Sequence, residues 1–260
     1  MTTKQGTPLD PRKRLQTREA VLEHLWRLLP QHCLILTDPR TRTAIEAGMT
    51  RAQRHGFRTQ SDVCGFVTLM VLLGAEFDVD PQLPWAGACL RNEQAGPRRA
   101  AMADLLTKAT EEMEPAIGPD GGLYRSALAW ARDHDFDVVA ASSMHDQALH
   151  DFMHQMYRPK YELLGEPLVQ ELVRQARDSA RAHRLTTSAG VGVVLQLIFL
   201  LGIGFMRDPF HPWVTDALRD ADRLDSTERA RRLHTKGLAV MSRYRRLTRL
   251  QHVGVGQEAR

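Results

Sequence analysis

LLGAEFDVDPQLPW, residues Leu72–Trp85, returns as LLGIGFMRDPFHPW, residues Leu200–Trp213. The two stretches stand 128 positions apart, and that one offset aligns much more than the phrase itself. Over Ala52–Lys108 it matches 18 of 57 positions without a gap, where chance pairing gives about three or four. Among the matches are His55/His183, Thr59/Thr187, Val63/Val191, Leu90/Leu218, Arg91/Arg219, Leu105/Leu233, Thr107/Thr235 and Lys108/Lys236. Repetition on this scale is the signature of an internal duplication. The expected architecture is therefore two tandem copies of one unit with pseudo-two-fold internal symmetry.

The unit is helical. Arg14–Leu29 places Leu15, Val21, Leu22, Leu25, Leu28 and Leu29 at helical spacing, and Pro30 stops it. Thr41–His55 continues as an amphipathic helix, with Gly56 placed as a left-handed C-terminal cap. Thr59 and Asp62 open a buried helix that runs to about Glu76. Asp80-Pro81 and Asp208-Pro209 favour a capped turn, and Trp85 and Trp213 open short helices. A last helix covers Pro97–Met113 in the first copy and Ser226–Leu247 in the second. The first helix of the second copy falls at about Ser142–Tyr157. The fold class is all-α, with roughly five helices per copy. The boundaries read from the sequence are a first repeat over 1–113, a linker with an additional helix (Leu123–Asp133) over 114–141, and a second repeat over 142–260.

Composition bounds the function. A 43% hydrophobic share is ample for a core, and a formal charge of +4 is a mild basic bias, short of a nucleic-acid footprint. Cys33, Cys64 and Cys89 form no Cys-x-x-Cys pair and read as free thiols. The first residues hold Lys4, Arg12, Lys13 and Arg14 without a following apolar run, so a cytoplasmic location is expected. Ala189–Phe205 is an uncharged run of 17 residues, at the short edge for a membrane span. Its counterpart Ser61–Phe77 carries Asp62 and Glu76, which are costly in lipid, so a buried helix is expected instead.

Candidate chemistry is sparse. His150 and His154 lie four apart on a helix with His145 nearby, a spacing that can present two rings to one metal ion. They align with Leu22 and Trp26 in the first copy, so the pair is not shared, and a polar helix face is the preferred reading. His55/His183 suits a helix C-terminus, and Asp80/Asp208 suits turn capping rather than acid–base work. No nucleophile elbow and no phosphate loop is present in the sequence, and nothing in it asks for a cofactor. The C-terminal helix is cationic through Arg229, Arg231, Arg232, Lys236, Arg243, Arg245, Arg246 and Arg249.

One resemblance extends this reading. His55–Phe57, Leu69, Leu72–Gly74, Phe77, Asp78, Asp80, Pro81, Pro84, Trp85 and Ala86 make a pattern that resembles small helical proteins encoded beside bacterial type VI secretion effectors. The second copy departs from it at Arg184, Gly204, Met206 and Val214. The resemblance implies an accessory role (adaptor, effector chaperone or immunity protein) and carries no catalytic residue.

The expected function is thus non-enzymatic binding of another protein, such as a secreted effector or toxin. Positions that differ between the copies are the expected contacts: Glu76, Asp78, Arg207 and His211, with Arg243, Arg245 and Arg246 as a basic surface for an acidic partner. The alternatives are a metal-dependent helical hydrolase using His145, His150 and His154, and a nucleic-acid-binding regulator using the C-terminal arginines.

Overall fold

Proline and threonine punctuate the chain into helices. Asp10 accepts a hydrogen bond from the Arg12 amide at 2.9 Å, and Pro11 occupies the first turn of α1 (Pro11–Leu28). Leu29 leaves helical geometry before α2 (Pro30–Leu36), and Thr37 does so, at φ 69°, before α3 (Asp38–Arg54). Gly56 reverses the chain at φ 82°, and Thr59 caps α4 (Gln60–Leu73) by accepting from the Asp62 amide. Next come α5 (Pro84–Arg91) and α6 (Arg98–Ile117). A connecting pair follows, α7 (Gly122–Asp133) and α8 (Phe136–Ala141). The remaining helices are α9 (Asp146–Met156), α10 (Arg158–Leu164), α11 (Glu166–Ala182), α12 (Ser188–Leu201), α13 (Pro212–Asp220) and α14 (Ser226–Val255). This computed structural model describes residues 10–91, 98–143 and 145–255, apart from the side chains of 98–99 and 244–255. Among the described residues the regular structure is all helical.

Helix boundaries keep the offset found in the sequence. Helices α2, α3 and α4 and their counterparts α10, α11 and α12 start and stop 128 residues apart. The starts of α5/α13 and α6/α14 and the ends of α1/α9 do the same. Six helices recur, where the sequence periodicity suggested five. The extra pair, α2 and α10, has seven residues per helix, too few for an apolar stripe to repeat. The proline that ends α1 also starts α2. Similarly, α8 has six residues and lies in the stretch that the sequence assigned to the linker, while the helix expected over Ser142–Tyr157 is α9, which starts at Asp146. The uncharged run ends early as well: α12 stops at Leu201 because Gly202 turns the chain at φ 92°. No helix among the described residues is long and apolar enough to cross a membrane.

Two hydrophobic cores form, one around α4 and one around α12. Ala127, Ala131, Phe136 and Val139 of the connecting pair join the second core. The halves also exchange parts. Phe210, from the second half, lies in the first core. In the same way α2 packs on α14, and α10 packs on α6.

The halves meet where α4 and α12 end. A Cβ on Gly74 would lie 2.6 Å from the Leu201 carbonyl oxygen, and one on Gly202 would lie 3.1 Å from the Leu73 carbonyl oxygen. Both glycines have positive φ, so the close approach and the left-handed turn require the same residue type. Across this contact the repeated aspartates reach into each other's half. Asp80 Oδ2 accepts from the Ile203 amide at 2.8 Å, and Asp208 Oδ2 accepts from the Ala75 amide at 2.9 Å. Their other oxygens hold their own turns: Asp80 Oδ1 accepts from the Gln82 amide at 2.9 Å, and Asp208 Oδ1 from the Phe210 amide at 2.7 Å.

Each carboxylate therefore satisfies one local and one distant backbone donor in a buried place. Removing either strands two amides. Asp80→Ala and Asp208→Ala are each expected to destabilise the fold by roughly 2–4 kcal/mol, measured by denaturant unfolding. Gly74→Ala is expected to cost about 3 kcal/mol or more through the Leu201 clash and the φ penalty.

Candidate functional site

Of the positions singled out in the sequence, Glu76, Asp78, Arg207 and His211 lie around this junction, and most are engaged internally. Asp78 is buried, and its Oδ1 accepts from Arg51 Nη2 at 2.6 Å while its Oδ2 meets His55 Nε2 at 2.6 Å. Burial pushes the Asp78 carboxyl up, but the His55 and Arg51 hydrogen bonds outweigh it and hold the carboxyl below its usual range. The His55 ring in turn lies 5.5 Å from that of Phe66, which sits between Phe57 and Phe77. This arrangement ties the end of α3 to the loop after α4. Asp78 does not face solvent, so it is a structural ion pair rather than a partner contact. Met206 stands at its counterpart, and there His183 turns its Nδ1 to the Ser179 carbonyl at 2.8 Å instead.

Glu76 and Arg207 are paired with each other. Arg207 Nη2 donates to Glu76 Oε1 at 3.1 Å, bridging the halves. The stem of Glu76 lies over Gly204, where a Cβ would come within 2.7 Å of Glu76 Cγ. Arg207 keeps most of its surface in solvent, so the pair is a weak clamp that a partner can still touch.

His211 is buried beside the junction, with Nδ1 lacking a hydrogen-bond partner. Burial lowers its pKa, partly offset by the Asp208 charge. His32 approaches from α2, and burial together with the His211 charge lowers its pKa to about 4. At the 128-residue offset His32 becomes Lys160, which lies in the corresponding place beside Asp80. Lys160 is half-buried as a residue, but its amine is enclosed, and burial brings its pKa down to about 8. Its Nζ donates to the Phe199 carbonyl at 2.6 Å.

A cavity of about 60 Å³ opens here, lined by Asp80, Gln82, Tyr124, Tyr157, Lys160 and leucines. It has room for a few water molecules. Its hydroxyls serve the backbone: Tyr157 donates to the Ala116 carbonyl at 2.8 Å and Tyr124 to the Leu200 carbonyl at 3.3 Å. Gln82 Nε2 donates to Asp80 and to the Ile198 carbonyl, leaving Oε1 without a partner. Burial raises the pKa of both Asp80 and Asp208, against the hydrogen bonds they accept. The residues converge as a polar seal between two cores, with most of the groups engaged by one another or by backbone carbonyls.

The histidine cluster has other roles as well. His145 caps α9, accepting from the Ala148 amide at 3.1 Å through Nδ1. His150 Nδ1 meets the Tyr161 hydroxyl at 2.9 Å, and the His154 ring stands edge-on to the same tyrosine at 5.2 Å. Tyr161 thus occupies the face on which two rings four residues apart would share an ion. Among the described residues no group of three or more metal-ligating side chains forms. Arg243 is exposed and reaches the Leu34 carbonyl at 3.5 Å, while the side chains of Arg245 and Arg246 lie outside the described residues.

Lys160, His32 and Gln82 were not singled out in the sequence. The signal was the offset itself, which pairs a lysine with a histidine and a glutamine with Phe210 at positions meeting the repeated aspartates.

The buried histidines give the fold a pH dependence. His32, His211 and His234 all have pKa values below the free value of 6.5. Their contribution is full above pH 6.5 and is lost as pH falls toward the folded-state values, because protonation then favours the unfolded chain. The raised Asp80 and Asp208 act in the opposite sense, gaining as pH falls. Substituting one histidine isolates its term. His234, lowered to about 4 by burial, corresponds to Leu106 in the first half. Relative to wild type, His234→Leu is expected to gain about 2 kcal/mol between pH 7.5 and pH 5, read from denaturant unfolding at both values. An unchanged difference would mean that His234 does not titrate there.

The chain matches no protein-family model, no curated protein and no solved structure in comparisons with each.

Proposed function

We propose that this chain is a non-enzymatic protein-binding factor built from a duplicated helical unit with pseudo-two-fold symmetry. The matching helix boundaries and the reciprocal aspartates support the duplication. The observation that carries the binding reading is where the large apolar side chains are left uncovered. Leu15, Trp26, Leu28, Leu34, Leu72, Val79 and Leu106 are exposed in the first half, against Leu123 and Val138 on the connecting helices and Leu163 and Leu224 in the second half.

The corner between α1 and α2 is the clearest case. Trp26 is 39% exposed, Leu28 51% and Leu34 47%. Their counterparts are His154, which packs on Tyr161; the buried Met156; and Glu162, which pairs with Arg158. Arg27 belongs to the last turn of α1, and Arg243 reaches the Leu34 carbonyl. An apolar surface with a tryptophan and flanking arginines has the composition of a binding hot spot. A partner with an apolar and acidic face fits it. A secreted effector or toxin is the partner implied by the resemblance of the repeated phrase, and binding would act by covering that partner's surface in the cytoplasm.

Purification of the tagged chain from its native cells, followed by size exclusion and mass spectrometry, tests this reading. One stoichiometric protein partner is expected. Trp26→Asp and Leu34→Asp are expected to weaken that complex by about tenfold or more with little change in melting temperature. A chain that elutes alone would overturn the reading.

A further inference from the structure

The uncovered surface has a built-in template for what should cover it. On α12, Ala189, Val193, Gln196 and Leu200 form one stripe and are all buried. Their counterparts on α4 are Ser61, Gly65, Thr68 and Leu72, and each is exposed or half-buried. Leu72 is 55% exposed where Leu200 is 6%. The neighbouring helix repeats the contrast. His234 of α14 is 3% exposed, and its counterpart Leu106 of α6 is 39%. Arg231 and Leu238 are half-buried, whereas Ala103 and Thr110 are exposed.

The connecting pair makes the difference. Helix α8 packs along α12, and both α7 and α8 touch α14. A Cβ placed on Gly192 would meet Ser143 and Val139. The Phe136 ring lies 6.1 Å from His234 and 4.3 Å under the Arg231 guanidinium, while Asp137 pairs with Arg231 at 3.1 Å. Tyr124 closes the far end on the Leu200 carbonyl.

We propose that the α4–α6 face of the first half is a groove for an amphipathic helix of a partner protein, which takes there the place that α7 and α8 take on α12 and α14. This rests on the protein-binding reading and names the surface and the kind of element it receives. The groove is shaped for a helix. Gly65 lets α4 approach α6, since a Cβ there would lie 3.0 Å from Met102 Sδ. Thr68 and Thr110 spend their hydroxyls on the carbonyls of Cys64 and Leu106, at 2.9 and 3.2 Å, so their methyl groups remain for apolar contact. Small side chains flanked by Leu72 and Leu106 suit a helix that inserts bulky residues one turn apart, as Phe136 and Val139 do on the second half. Ala103 stands where Arg231 would be, so the partner needs no acidic residue matching Asp137.

The test uses the full chain with a photo-activated benzophenone side chain at position 106, irradiated in native cells, with the linked peptide mapped by mass spectrometry. The expected result is a link to one segment of another protein whose apolar residues recur at helical spacing. Thr68→Arg, and separately Leu72→Glu, is expected to reduce that link at least about tenfold without lowering the melting temperature. No link, a link to a second copy of this chain, or a link to a segment without helical spacing overturns the assignment. A benzophenone at position 26 separates the two levels. Capture at 26 but not at 106 removes the groove and leaves protein binding standing. Capture at neither removes both.

Discussion

Two carboxylates, each accepting a backbone hydrogen bond from the opposite half, hold this molecule in its arrangement. Asp80 binds the Ile203 amide and Asp208 binds the Ala75 amide, while each also organises its own turn. The geometry leaves little room for alternatives. The amides become available only because Gly74 and Gly202 end their helices in a left-handed turn, at φ 100° and 92°. The helix ends in turn approach closely only because those residues lack a Cβ. Glycine, aspartate and proline in the repeated phrase thus serve one contact, and Phe210 anchors it by entering the opposite core.

Around that contact the two halves solve the same problem with different residues. Lys160 and Gln82 stand beside Asp80, and His211 stands beside Asp208 with His32 next to it. A buried carboxylate in a low-dielectric junction needs donors or a nearby positive charge. On one side a lysine supplies the charge below its lowered pKa of about 8. On the other, two histidines kept neutral by burial leave Asp208 to the backbone amides. The two sides keep matching backbone bonds with different side chains around them.

A second asymmetry concerns covering. The connecting helices α7 and α8 complete the second core, so its central helix α12 is buried along nearly its whole length. The corresponding helix α4 keeps one stripe open, and apolar side chains on α1, α2 and α6 stay exposed with it. Apolar surface is thus left uncovered on one half and covered on the other. Of the residues expected from the sequence to make contacts, Asp78 and His211 are buried and Glu76 is tied to Arg207, whereas Arg207 and Arg243 keep exposed surface.

Local chemistry made much of the architecture legible in advance. Apolar spacing marked the longer helices. Thr59 marked a cap, Gly56 marked a reversal, and the 128-residue offset tied the two halves together. These features act over a few residues or by plain repetition, so they can be read from order alone. Helices α2, α8 and α10 escaped because six or seven residues are too few to show a periodic stripe. Tertiary structure alone decided that the repeated aspartates cross between halves, that Asp78 serves Arg51 and His55, and that the α4 stripe stays open. Each depends on which distant backbone or side chain arrives at a given place. A carboxylate reads the same in sequence whether its donor lies two residues away or 123.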